Sequence, residues 1–287
     1  MNSPKGILIP IGGNEDKGIE KNEMYTLEFI KEGILSYVVE EAGGKNAKMV
    51  IIPTASSIPD EVMDNYNTAF TKLGCTNIHM LDIREREDSE TPHAIELIKT
   101  AKCVMMSGGD QSKITDKIGN TEIHRILLDR YQNEEGFVIA GTSAGAMVMS
   151  EEMISGGSAT EALMKGAVNM YKGLGLIPEL IIDTHFVKRG RFGRQTEAVA
   201  MFPKLIGIGL SEDTAMIIRN GEDCTVIGSG MVIIFDGSQI TQNNHHILKA
   251  DTPLTITDLK IHILSNGDQY NFKTKGIRVL PIGSKHL

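Results

Sequence analysis

The sequence predicts an α/β fold built on a mostly parallel sheet. Short aliphatic runs alternate with helix-like stretches through the first two-thirds of the chain, and from about Ile206 the texture changes to closely spaced strand-like runs broken by turns. Runs of four to six residues separated by helical patterns mark βαβ units, whose parallel sheet is covered on both faces. The expected strands and helices follow in order: strand 6–11, helix 24–42; strand 49–52, helix 59–73; strand 78–83, helix 93–100; strand 103–106, helix 121–132; strand 137–140 and a further helix. Within the first helix, Leu27, Ile30, Ile34, Tyr37 and Val38 have the spacing of a stripe lying on a sheet. After Ile206, runs at 215–219, 224–227, 231–235, 260–264 and 276–280 are punctuated by Asn220-Gly221 and Asp236-Gly237, a strand-rich completion of the same domain. No linker, low-complexity segment or repeat interrupts the chain, so residues 1–287 are expected to form one domain.

Composition narrows the function. The 287 residues are 41% hydrophobic and 23% charged, and the formal net charge is −8, the wrong sign for wrapping nucleic acid or lying on anionic lipid. Cys75, Cys103 and Cys224 are odd in number and far apart, which suits neither a disulfide framework nor a zinc site and indicates a reducing compartment. No apolar run approaches the ~18 residues of a membrane span, and the run at 6–11 is too short for a signal peptide. A cytoplasmic protein is expected, with no metal and no organic cofactor.

The segment most informative about chemistry is Phe137 to Met147, where an aliphatic strand runs into Gly141-Thr142-Ser143-Ala144-Gly145 and then a helix. Strand, G-x-S-x-G and helix are the context of a nucleophile elbow, with small residues flanking a serine exposed on a strained turn. Ser143 is the candidate nucleophile. A bare G-x-S-x-G is as often a glycine-rich turn with a capping hydroxyl; the preceding strand shifts the balance. Among eight histidines, His185 ends another aliphatic run, Leu180-Ile-Ile-Asp183-Thr184-His185, and catalytic groups of open α/β sheets collect at such ends. His79 reads as packed and His245-His246 as a solvated loop. For the orienting carboxylate, Glu151, Glu152, Glu161 and Asp183 all satisfy the order serine, acid, histidine known from other elbow hydrolases, and spacing does not choose among them.

Two further segments complete the candidate site. Ser107-Gly108-Gly109-Asp110-Gln111 follows a strand and offers amides unobstructed by Cβ, a partner to the Ala144 amide for an oxyanion hole. Lys188-Arg189-Gly-Arg191-Phe-Gly-Arg194 puts four cations within seven residues of an acidic protein. Such a run is usually a solvated face, but beside a catalytic histidine its guanidinium forks suit substrate carboxylates. Nucleic acid is a poor fit, because no aromatic platform accompanies the cluster.

Taken together, Gly13-Asn14-Glu15-Asp16-Lys17, Gly108-Gly109-Asp110-Gln111, Gly141-Thr142-Ser143-Ala144-Gly145 and Asp183-Thr184-His185-Phe186 with Arg189, Arg191 and Arg194 resemble the motif set of the cyanophycinases, serine peptidases related to aspartyl dipeptidase E. The four motifs fall in the same order and span residues 12–194. The resemblance implies a doubly wound, flavodoxin-like fold similar to class I glutamine amidotransferases. It implies Ser143 as nucleophile, His185 as base and Glu161 as orienting acid, with Gly109 and Ala144 forming the oxyanion hole. It further implies Gln111, Asp183, Thr184, Arg189, Arg191 and Arg194 as substrate contacts. The implied substrate is cyanophycin, a polyaspartate carrying arginine on each β-carboxyl, cut to β-Asp-Arg dipeptides; short aspartyl peptides are the alternative, and a non-catalytic binding protein on the same fold is a third. Thr184 stands where that family has Gln, so one hydrogen bond to substrate, worth ~0.5–1.5 kcal/mol, is in question. No membrane partner is implied, and a homodimer is the expected assembly.

Overall fold

Apolar residues at consecutive strand positions demand cover on both sides, and the chain supplies it. In the computed structural model, which describes residues 3–19, 22–158 and 163–280, five strands lie parallel: β1 (Ile7–Ile11), β2 (Met49–Ile52), β3 (Ile78–Met80), β4 (Cys103–Met106) and β5 (Val138–Thr142). Their order is β1-β5-β4-β2-β3. Ile9, Met49, Ile51 and Met105 face one core, shared with α2 (Ile34–Glu41) and α3 (Pro59–Lys72). Leu8, Val50, Val104 and Ile139 face the other, shared with α4 (Pro92–Thr100), α5 (Gln111–Ile118) and α6 (Glu122–Asn133). Helices on both faces make the sheet doubly wound.

The expected helix 24–42 is broken. A single turn, α1 (Phe29–Glu32), ends at Gly33, whose extended backbone (φ −69°, ψ 149°) separates it from α2. A Cβ at Gly33 would lie 2.5 Å from the Phe29 carbonyl oxygen, and glycine is a poor helix interior residue in any case. Ile30, placed by periodicity on the buried stripe, is consequently exposed. Side-chain caps begin α4, α5 and α6: Thr91 and Thr121 accept the amides of Ala94 and His124, and Asp110 accepts that of Ser112. Asp110 in the glycine-rich turn therefore begins α5.

After β5 come the short α7 (Ala144–Met147), an antiparallel hairpin of β6 (Glu152–Gly157) and β7 (Val168–Lys172), then β8 (Leu180–Asp183), α8 (Phe192–Met201) and β9 (Ile206–Leu210). The strand-rich remainder divides between two sheets. β10 (Thr214–Arg219) and β11 (Asp223–Gly228) extend the central sheet antiparallel beyond β1. β12 (Met231–Asp236) joins a second sheet, and β13 (Gln242–Asn243) pairs with β14 (Ile256–Thr257). β15 (Lys260–Ser265) returns to β12, while β16 (Gln269–Asn271) and β17 (Ile277–Arg278) complete the central sheet at nine strands. In the second sheet, ordered β15-β12-β9-β8, β8 and β9 run parallel. Both therefore end at the same edge. Its inner side chains, Ile182, Ile208 and Ile234 among them, join the core of α4 to α6. Among the described residues no helix is long and apolar enough to cross a membrane, and all three cysteines are free and buried.

Candidate active site

Each half of the site is made by a strand that ends in a strained residue. Ser143 follows β5 with φ 51° and ψ −110°, a conformation that costs energy and persists only where its surroundings enforce it. Its amide donates to the Ile11 carbonyl at 2.9 Å. The flanking glycines are dictated by contact: a Cβ on Gly141 would lie 2.3 Å from the Gly145 oxygen, and one on Gly145 2.3 Å from the Met106 oxygen. Gly108 packs beside Ser143, and Gly109, at φ 140°, presses on the Ala55 carbonyl. Among the described residues, no carbonyl accepts the Gly109 or Ala144 amide, so both are available to an oxyanion.

His185 follows β8, also with positive φ, 49°, and its amide donates to Gly12 at 2.8 Å. Nε2 lies 3.0 Å from Ser143 Oγ, and Nδ1 lies 3.0 Å from Oε1 of Glu212. The Glu212 side chain, only 7% exposed, also accepts from Asn14 Nδ2 at 3.0 Å and pairs with Lys188 at 3.3 Å. Burial pushes the Glu212 carboxyl up, but hydrogen bonds from His185 and Lys188 outweigh it and hold the group below its ordinary range. A carboxylate at Nδ1 favours the tautomer protonated there, which leaves the Nε2 lone pair on the side of the serine hydroxyl. Burial, aided by the charges of Arg189 and Arg191, holds the imidazole below its usual pKa despite Glu212. A neutral base results, suited to take the Ser143 proton at neutral pH.

Glu212 is the residue that sequence reasoning missed. Glu161, the acid implied by resemblance, lies outside the described residues. Glu151 and Glu152 pair with Lys172 beside the β6–β7 hairpin, and Asp183 is taken up by arginines. The carboxylate that contacts His185 follows it in the chain, giving the order serine, histidine, acid, whereas the expected order places the acid between Ser143 and His185. A signal was present: Ser211-Glu212-Asp213 follows the aliphatic run 206–210, the same strand-end logic that selects His185.

The basic segment divides into internal and outward parts. Arg194 grips the fully buried Asp183 with Nε at 2.6 Å and Nη2 at 2.5 Å, and Arg191 reaches it at 2.9 Å while donating to the Thr184 carbonyl at 2.7 Å. Asp183 and Arg194, expected to contact substrate, instead brace the strand end before His185, because an isolated buried carboxylate requires such partners. Thr184 is fully buried, its hydroxyl without a partner among the described residues. Arg189 is exposed beside the site and Arg191 half-buried. Gln111 Nε2 donates to the carbonyls of Ile154 and Ser155 at 3.1 and 3.0 Å, tying α5 to β6. His79 bonds Asn77. His245, expected in a solvated loop, is buried 3.8 Å from Glu197.

Residues 27–226 match Peptidase family S51. The chain belongs to this family. Family S51 is consistent with the serine, histidine and carboxylate found together here, and the protein is a serine-type peptidase. The cyanophycinase of Geminocystis herdmanii (strain PCC 6308) is 37% identical over 267 residues, 93% of this chain and 94% of that protein. The cyanophycinase of Trichormus variabilis (strain ATCC 29413 / PCC 7937) is 37% identical over 93% of this chain and 86% of its own length. Among solved structures, a peptidase from an acI-B1 Actinobacterium superposes with a TM-score of 0.64 at 23% identity, covering 94% of this chain and 98% of that one. That likeness of fold covers nearly the whole chain.

Proposed function

We propose that this S51 peptidase hydrolyses cyanophycin, releasing β-Asp-Arg dipeptides, with Ser143 as nucleophile, His185 as general base and acid, and Glu212 as the orienting carboxylate. The hydrogen-bonded chain from Ser143 Oγ through His185 to Glu212 carries the reading, and cyanophycinase relatives over more than nine-tenths of the chain supply the substrate. Ser143 Oγ adds to the carbonyl carbon of the backbone amide as His185 Nε2 takes its proton. The tetrahedral oxyanion accepts from the Gly109 and Ala144 amides. His185 then returns the proton to the leaving amine, the C–N bond breaks, and an acyl-enzyme remains. Water, deprotonated by the same nitrogen, releases the acid and restores the serine.

Arg189, exposed beside the site, is the cation we assign to a substrate carboxylate; Arg191 is held by Asp183 and the Thr184 carbonyl, Gln111 by the β6 carbonyls, and Thr184 is fully buried. The buried thiols and the acidic, uninterrupted chain support a one-domain protein of the reducing cytoplasm, and we assign it a homodimer on the prevalence of two-fold assemblies. Purified protein incubated with insoluble cyanophycin, and separately with α-linked aspartyl dipeptides, is the test, with products identified by mass spectrometry. Release of β-Asp-Arg by wild type and not by Ser143→Ala is the expected result. Cleavage of the α-dipeptides alone would retain the serine mechanism and overturn the polymer as substrate.

A further inference from the structure

The turn after β1 holds an unusual buried charge. Glu15 is 1% exposed; its Oε2 accepts the Thr142 hydroxyl at 2.6 Å, and its Oε1 accepts the Tyr66 hydroxyl at 2.5 Å and pairs with Lys17 at 2.8 Å. Thr142 is the residue immediately before Ser143. The neighbours of Glu15 in sequence reach the rest of the site one after another. Ile11 accepts the Ser143 amide and Gly12 the His185 amide. Gly13, at φ 103°, lies against the imidazole, where a Cβ would meet Cε1 at 2.4 Å, and its carbonyl accepts the Asp213 amide. Asn14 donates to Glu212, and the Asp16 amide to Asp213 Oδ1 at 3.0 Å.

Six consecutive residues thus touch the serine, the histidine, the acid, or a residue next to one of them. We propose that Glu15 is a positioning residue, whose carboxylate locks this turn to the nucleophile strand and so holds Ser143 in register with His185 and Glu212. The proposal rests on Ser143 being the nucleophile. Packing alone does not call for a carboxylate, since replacing a buried ion pair by apolar side chains of similar volume is often neutral or stabilising. What an apolar residue lacks is a directed hold on Thr142, and the strained backbone at Ser143 needs such constraints. The cation of this turn, Lys17, is paired with Glu15 itself, so the influence of the turn is expected on the rate of bond formation and not on binding.

The test compares wild type, Glu15→Gln, Thr142→Val and the double variant by their rate of covalent labelling at Ser143 with a fluorophosphonate, which reports nucleophile and base without reference to any peptide. Labelled peptide is identified by mass spectrometry, folding by thermal unfolding, and kcat and KM on cyanophycin in parallel. Each single variant is expected to label about 10-fold or more slowly, as small misplacements of reacting groups do. The double variant should be no slower than Glu15→Gln, because both changes break one contact, and KM should stay within about twofold. Labelling of the folded variants at the wild-type rate, with only the melting temperature lowered, would make Glu15 merely structural and overturn the proposal. Thr142→Val removes a single hydroxyl and decides the matter if Glu15→Gln does not fold. Wild type left unlabelled at Ser143 would overturn the nucleophile assignment and this proposal together, an outcome distinct from equal labelling of wild type and variants.

Discussion

His185 Nδ1 and Glu212 Oε1 lie 3.0 Å apart although the two residues are 27 positions apart in the chain. The contact exists because β8 and β9 pair in parallel, with Asp183 opposite Gly209 and the Phe186 amide donating to Leu210. The residues that follow the two strands then emerge side by side at one edge. In the proposed mechanism this hydrogen bond sets the tautomer of the imidazole and stabilises the imidazolium that forms when Ser143 loses its proton.

Glu212→Gln should therefore lower kcat by about 10³- to 10⁴-fold, the loss seen when the carboxylate of a triad is neutralised, while the melting temperature changes little. Turnover assays on purified variants check this. Near-normal kcat in Glu212→Gln combined with a large loss in Glu161→Gln would move the role to Glu161.

The rate should depend on pH through a base of depressed pKa. Burial and the charges of Arg189 and Arg191 hold His185 below its ordinary value, so kcat/KM should rise with pH through a point below 6.5 and level off by neutrality, where the ring is unprotonated. Arg189→Ala removes one of the depressing charges, and the acidic limb of its profile should move to higher pH. An unmoved limb would detach Arg189 from the electrostatics of the site.

Arg194→Ala should cost about 3–5 kcal/mol of stability by leaving the fully buried Asp183 short of its main partner. Arg189→Ala, at an exposed position, should stay within about 0.5 kcal/mol of wild type in stability and chiefly raise KM for aspartate-rich substrate. Denaturant unfolding beside steady-state kinetics separates the two arginines. Equal stability loss in both would contradict the division into bracing and outward-facing cations.

Asp213 gives stability a pH dependence of its own. Burial raises its carboxyl to about 6, against hydrogen bonds from Ser229 and the Asp16 amide. A raised carboxyl pKa means the folded state binds the extra proton, so its stabilising contribution is complete below the unfolded pKa and is lost as pH climbs through about 6. Between pH 5 and pH 7.5, of which only about one pH unit lies below that pKa, wild type should lose about 1–1.5 kcal/mol relative to Asp213→Asn. Urea unfolding of both proteins at pH 5 and pH 7.5 measures the difference, and parallel pH dependences would exclude Asp213 as its source.

Gly13→Ala should impair catalysis through the imidazole. A Cβ there would collide with the His185 ring, on a backbone with φ 103° that suits glycine alone. A large fall in kcat, with a displaced ring in the variant's crystal structure, is expected; wild-type turnover would show that the ring has room to yield.

The parallel sheet, its two-sided cover and the strand-end placement of Ser143 and His185 were legible in the sequence because each is written locally: aliphatic runs of strand length, a G-x-S-x-G between a strand and a helix, a histidine at the end of another run. Local pattern also misled at residues 24–42, where Gly33 breaks a helix whose apolar spacing continues across it. Tertiary structure alone decided which carboxylate contacts the imidazole, and that Arg189 faces outward while Arg191 and Arg194 hold Asp183. Glu212 carries only a strand-end position, which Asp183 shares at the end of β8; the parallel register of β8 and β9 is what brings it to His185. Asp183 and Arg194 carry the charges of a substrate pocket in any sequence motif, but only burial and a facing partner show that those charges satisfy each other. Strand pairing and burial are set by contacts between distant segments, so no window of sequence contains them.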